Sequence, residues 1–231
     1  MWRVENYFQE ENLLSNIKIA AYFILLYEHF EDMVIDTVHE FYASPCALDG
    51  KLFYDIDDAY IRLLGEKIAQ GTECQILFKR ILANAKHARE VYRREILGEE
   101  NKKDARKFRG SLKWLQKHDV ITGAEIDRIL AIKDRRNRIT HELLHEIGKG
   151  FSDDDAKMIA DMLNIQQQIN AWRFQQIEMP IMEIEMPDGT DPDDVMSSDD
   201  VLLMSIFRIL FCGEGDQFKQ ALDKELKKTP L

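Results

Sequence analysis

The apolar residues of this chain recur at threes and fours, and that spacing limits the fold more than any other feature. From Asn12 to about Ala43, positions Leu13, Leu14, Ile17, Ala20, Ala21, Ile24, Leu25, Phe30, Met33, Val34 and Val38 follow the helical repeat. The middle of this segment, AAYFILLY, is apolar almost all round, as expected of a helix enclosed by others. Pro45 and Gly50 break the pattern in SPCALDGKLF (44–53), which predicts a short extended or hairpin excursion. Helical patterning resumes at Asp57 and continues, with an interruption near Gly71, to about Leu97. After the charged loop GEENKKD, the stretch KKDARKFRGSLKWLQKH reads as another amphipathic helix, with Leu112 and Trp114 as core contacts.

Two later helices announce their own starts. Thr122 followed by Glu125 is a capping box, in which hydroxyl and carboxylate satisfy reciprocal orphan amides; the helix it opens is expected to run to near Gly148 and Gly150. Ser152 with Asp155 opens the next in a similar way, to about Glu178. Beyond lies EMPIMEIEMPDGTDPDDVMSSDD, which holds three of the five prolines and predicts an acidic, poorly packed linker. Short helices near 199–211 and 216–228 finish the chain. The expected organisation is therefore all-α: a helical bundle over 1–178, an acidic linker over 179–198 and a C-terminal helical extension over 199–231.

With 231 residues, 45% of them hydrophobic, the chain can bury a substantial core. Cys46, Cys74 and Cys212 are too few and too widely spaced for a disulfide scaffold or a C-x-x-C metal site, and fit a reducing, cytoplasmic setting. MWRVENYFQEE lacks the order of a secretory signal. The longest apolar runs, IAAYFILLY at 19–27 and VLLMSIF at 201–207, fall well short of the roughly 20 residues that span a bilayer, so a soluble protein with no membrane partner is expected. Net charge is −11, but unevenly distributed. Residues 79–118 carry thirteen Lys or Arg against five acids, whereas 178–200 carry nine acids and no base. One region suits phosphate and the other repels it.

The stretch RRNRITHELLHE (135–146) supports two chemistries. HELLH has the H-E-x-x-H spacing of a zinc hydrolase: on a continuous helix His141 and His145 lie about 40° apart and share a face, with Glu142 as base. HELLHEIG continues one zincin pattern, but the third ligand that pattern requires falls on Phe151, and Asp161, Glu178 and Glu183 lie in no second motif. The overlapping RNRITH needs no metal. On an ideal helix Ile129, Ile132, Ile139, Leu143 and Ile147 fall within about 80° and form a core stripe. Ile126, Leu130 and Leu144 form a second apolar side, with Asn137 and His141 among and beside them. A second apolar side is expected where another subunit packs; the plainer alternative makes Asn137 and His141 hydrogen-bonded structural polars.

Arg136-Asn137-x-x-x-His141, late in a helix and preceded by a shorter helix–loop unit, resembles the HEPN superfamily, whose signature is R-x(4 to 6)-H with a polar residue often following the arginine. The resemblance is specific over about 108–150 and extends by helical order to about 12–178. It implies an all-α bundle that commonly dimerises, bringing two signatures to a shared cleft. Many members are metal-independent endoribonucleases of toxin–antitoxin, phage-defence and CRISPR-linked systems. On that footing His141 is the acid or base in attack of a ribose 2′-hydroxyl on the adjacent phosphate, Arg136 stabilises the phosphorane, and Asn137 orients the histidine or the phosphate.

No cofactor is implied, and the expected partners are RNA, a second copy, and an antitoxin or defence partner protein. Arg136 lies about 140° from His141 on an ideal helix, so the pair converges by arginine extension or across a dimer; Arg138 and His145 also satisfy the loose spacing. Lys102, Lys103, Arg106, Lys107, Arg109, Lys113 and Lys117 offer a backbone-binding surface, and Arg135 and Arg138 read as RNA-facing or solvated charges. The competing class is a non-catalytic HEPN dimer that binds RNA, a nucleotide or a partner protein.

Overall fold

The computed structural model describes residues 10–43, 47–48, 51–52, 83–84, 86–97, 105–182 and 197–211. Nearly all of them are helical, and the fold is all-α. Helix α1 spans Glu10–Ala43. The expected excursion follows: β1 (Ala47–Leu48) and β2 (Lys51–Leu52) form a minimal antiparallel ladder, pairing Ala47 with Leu52 and Leu48 with Lys51. Helix α2 covers 86–97 and ends in a π-helical turn, Arg93–Leu97. Next come α3 (Ala105–Lys117), α4 (Gly123–His141) and α5 (Leu143–Lys149). Helix α6 starts as Asp153–Arg173 and continues through a π turn, Phe174–Glu178, to Met179–Met182. Helix α7 is Ser198–Phe211. The helical stretch expected over 57–82, the loop 98–104, most of the acidic linker and the helix near 216–228 lie outside the described residues. No described helix is long and apolar enough to cross a membrane.

The chain forms two compact units. The first contains residues 10–33, 119–171 and 197–211. Its core takes Ile19, Tyr22, Phe23, Leu26, Tyr27 and Phe30 from α1, Ile129, Ile132 and Ile139 from α4, and Ile159, Met162, Ile165 and Ile169 from α6. Each such side chain contributes about 1.5–3 kcal/mol by leaving water. The enclosure expected of AAYFILLY is incomplete, because Leu25 within it stays exposed, on the same side of α1 as the exposed Leu14 and Ile17 before it.

Helix α7 belongs to this unit rather than to a separate extension. Tyr22 packs against Phe207 and Phe211, with ring centroids 5.2 and 6.0 Å apart. The buried Asp200 carboxylate accepts hydrogen bonds from Gln166 and from Asn170 Nδ2, the latter at 2.6 Å, and lies 3.7 Å from His29 Nε2. It also takes the Ser197 amide at 3.0 Å, while its own amide donates to Ser197 Oγ at 3.1 Å, which closes a reciprocal cap on α7. The chain therefore returns from the acidic segment to complete the first core, a non-local event that composition does not signal.

The second unit contains, among the described residues, 34–43, the small ladder, 83–84, 86–97, 105–118 and 172–182. Phe108, Ser111, Leu112, Trp114 and Leu115 put one side of α3 inside, together with Val34 and Val38 of α1 and Ile177 of α6. Arg173 Nε lies 2.8 Å from Glu40 Oε2 and 3.4 Å from Glu178 Oε1.

Candidate functional site

The sequence expects α4 to continue through HELLHEIG, but the chain turns at Glu142. Its backbone (φ −120°, ψ 33°) ends α4 while its amide still donates to the Arg138 carbonyl at 2.8 Å, and α5 starts at Leu143. The reason lies in the side chains. On an unbroken helix Arg135 and Glu146 would be about 16 Å apart along the axis, beyond the reach of both. Here Arg135 Nη1 donates to Glu146 Oε2, and Arg135 Nε donates to Asp155 Oδ1 at 2.5 Å. The guanidinium also lies over the Phe151 ring, 5.4 Å from its centroid. One buried cation thus draws together α4, α5 and the first turn of α6.

Arg135 is not the solvated or RNA-facing charge expected from the sequence: it is 6% exposed and its guanidinium is committed to two carboxylates rather than offered to solvent. The loss of hydration at this cluster is offset by strong, charge-assisted hydrogen bonds. Burial alone would push the Glu146 carboxyl up, but the bonded Arg135 guanidinium outweighs it and holds the carboxyl below its ordinary value.

The turn also dissolves the geometry that the alternative zincin reading of HELLH requires. His141 is the last residue of α4 and His145 lies on α5, so they do not occupy i and i+4 of one helix. Glu142, His145 and Glu146 do bring ligand atoms within 4.8 Å of one another. Two of these residues are exposed, and the third, Glu146, already holds Arg135. The set lacks the three available ligands of a catalytic zinc centre.

The apolar stripe survives as Ile129, Ile132, Ile139 and Ile147, whereas Leu143 is swung out. The second apolar side is open within the single chain: Ile126 and Leu130 are half-buried, and Leu144 is 87% exposed. His141 lies between these features and is exposed, so it is not a structural polar locked in the interior.

One turn earlier, Arg136 Nη1 donates to Asn137 Oδ1 at 3.1 Å, and both residues are half-buried. The Arg136 guanidinium pairs with Glu28 and sits over the Tyr27 ring, 5.5 Å from its centroid. The Thr140 hydroxyl donates back to the Arg136 carbonyl at 3.0 Å. Glu28 and Tyr27, both on α1, are the neighbours sequence reasoning missed; nothing in the local pattern links them to α4.

Of the remaining basic candidates, Arg138 is exposed. Arg109, Lys113 and Lys117 are exposed on α3, Lys107 is half-buried, and Arg106 lies on the same helix. Lys102 and Lys103 lie outside the described residues. The sequence matches no family model, no curated protein and no solved structure.

Proposed function

We propose that the chain is a HEPN-like, metal-independent endoribonuclease that works as a homodimer in a toxin–antitoxin, phage-defence or stress setting. The observation that carries the reading is the exposed His141 imidazole at the last residue of α4, one turn after the hydrogen-bonded Arg136–Asn137 pair. An exposed imidazole near neutral pH accepts the proton of a ribose 2′-hydroxyl. That oxygen attacks the adjacent phosphorus, the bond to the 5′-oxygen breaks as that oxygen takes a proton from the imidazolium or from water, and a 2′,3′-cyclic phosphate and a 5′-hydroxyl result. RNA supplies the nucleophile, so the chemistry has no step that requires an ion.

The Arg136 guanidinium offers several donors to phosphate oxygens. To serve the phosphorane it exchanges Glu28 for phosphate oxygens while Asn137 keeps its orientation. The open apolar side around Leu143 and Leu144 supports a second copy packing beside His141.

A second reading has its own support, because Arg136 is held by Glu28 and Tyr27 as a structural arginine would be. On that reading the chain is a non-catalytic HEPN-like dimer that binds RNA, a nucleotide or a partner protein. Incubation of the purified chain with RNA in the presence of chelator separates the two. Cleavage by the wild type that His141→Ala abolishes supports the nuclease. Cleavage that His141→Ala retains in full removes the assigned site, and no cleavage by either protein favours the binding module.

A further inference from the structure

We propose that the second unit carries a stacking platform for the bases of single-stranded RNA, formed by His118, Phe41 and Trp172 around the buried ring of Trp114. The inference rests on the RNA reading above for the identity of the strand, and on the second unit alone for its geometry.

The platform starts from a rigid base. Trp114 is 4% exposed, and its indole N–H donates to Tyr42 Oη at 2.9 Å; the Tyr42 hydroxyl in turn donates to Glu95 at 2.5 Å. With its polar handle satisfied, the indole is fixed as a flat support. His118 stacks on it at 3.9 Å between centroids and 31° between planes. Phe41 packs 4.8 Å from Trp114 and 5.8 Å from Trp172, the latter pair inclined by 34°.

The cluster differs from an ordinary core in its outer layer. Phe41 and Trp172 are only half-buried, and His118 is exposed although one face of its ring lies against Trp114. Large rings held half in water mark a surface that gains by being covered.

Charge decides what covers it. Helix α3, ARKFRGSLKWLQK, carries no acid. Its exposed Arg109, Lys113 and Lys117 follow an i, i+4, i+8 row within about 80°, and the last of them directly precedes His118 in the chain. Flat rings beside a row of cations suit a strand of alternating base and phosphate: bases stack on the rings and phosphates meet the lysines. A duplex keeps its base faces stacked inside and cannot use the rings.

The test uses the full-length His141→Ala protein, so that the probe is not cut, and a labelled oligouridylate read by anisotropy and by quenching of tryptophan emission. His118→Ala is expected to weaken binding roughly tenfold. Lys113→Gln with Lys117→Gln is expected to flatten the salt dependence of log K by about 1.4 if each lysine meets one phosphate. Both changes lie at exposed positions, and circular dichroism checks that each variant is folded. Unchanged affinity and salt slope in both folded variants overturn the platform, as does tighter binding of the duplex of the same RNA. If wild-type protein cleaves RNA while these variants bind like their parent, the platform alone fails. If the probe binds through these residues and the wild type never cleaves, the platform stands and the nuclease reading fails.

Discussion

Arg135 donates through Nε to Asp155 at 2.5 Å, and the same Asp155 accepts the Ser152 amide at 2.8 Å and the Ser152 hydroxyl at 3.0 Å. A residue that looks like a free positive charge on a polar helix is therefore tied to the cap of the next helix. This bond and its twin to Glu146 hold the turn at Glu142, and the turn leaves His141 exposed at a helix end. The chemistry proposed for His141 thus depends on a neighbour that touches no substrate.

Removing that neighbour leaves two buried carboxylates without their partner. Arg135→Met should cost about 3–5 kcal/mol, the range for breaking a buried ion pair from one side. For a chain of this size that lowers the melting temperature by roughly 6–20 °C. Calorimetry on the variant checks it, and a change of no more than a degree would mean that the cluster does not hold the turn.

Gly110 gives a prediction whose sign is informative. In a helix, Gly→Ala ordinarily stabilises by about 1 kcal/mol. Here a Cβ would meet the carbonyl oxygen of Ile96, at the π turn that ends α2, far inside contact distance. Backbone cannot swing away as a flexible side chain can. Gly110→Ala should therefore destabilise by about 1–3 kcal/mol, as overpacking does. Urea unfolding decides it, and a rise in the midpoint would show that α3 does not approach α2 this closely.

What the sequence revealed was local. The Thr122 hydroxyl accepts the Glu125 amide at 3.2 Å while the Glu125 carboxylate takes the Thr122 amide at 2.6 Å, as the spacing of those two residues predicts. The start of α6 at Ser152 and the small ladder of 47–48 with 51–52 were legible for the same reason, since each is settled within a few residues. The break at Glu142 was not, because HELLHEI contains neither glycine nor proline and the cause is a guanidinium seven positions upstream, bonded to a carboxylate beyond the break. The return of α7 to the first unit, the pairing of Arg136 with Glu28 and the stacking of Phe41 on Trp172 are likewise tertiary. Periodicity shows which side of a helix is apolar but not what covers it.

Asp200 should make α7 acid-labile. Burial alone would raise its carboxyl, but the neighbouring His29 ring, the Ser197 cap and Gln166 outweigh that and hold it below its ordinary value. A lowered folded value means that this contribution is fully present above the unfolded value of about 3.9, and is lost as pH falls through the folded one. Asp200→Asn should remove that part of the acid dependence while costing stability near neutrality. Chemical unfolding of both proteins across the acid range checks it; parallel curves would rule Asp200 out as the titrating group.

Chelation should leave RNA cleavage unaltered. Glu142, His145 and Glu146 are close enough to attract a cation, but Glu146 already neutralises Arg135 and would have to abandon it. Dialysed protein is accordingly expected to hold well under one zinc per chain, and Glu142→Ala with His145→Ala to preserve cleavage. Metal analysis returning one zinc per chain, together with activity lost to chelator, would reverse the ranking of the two chemistries read from RRNRITHELLHE.

Leu144 separates folding from assembly. At 87% exposure it contributes little to its own chain, so Leu144→Asp should change the stability of an isolated subunit by no more than about 0.5 kcal/mol. In the proposed dimer the same side chain lies in a contact beside His141, where a buried, unpaired carboxylate is costly. Light scattering is therefore expected to find the wild type as a dimer and Leu144→Asp as a monomer of unchanged helix content. Because the cleft is proposed to be shared, cleavage should fall with the dimer. A monomeric variant that cleaves at the wild-type rate would show that each subunit carries a complete site, and the two-copy cleft would have to be given up.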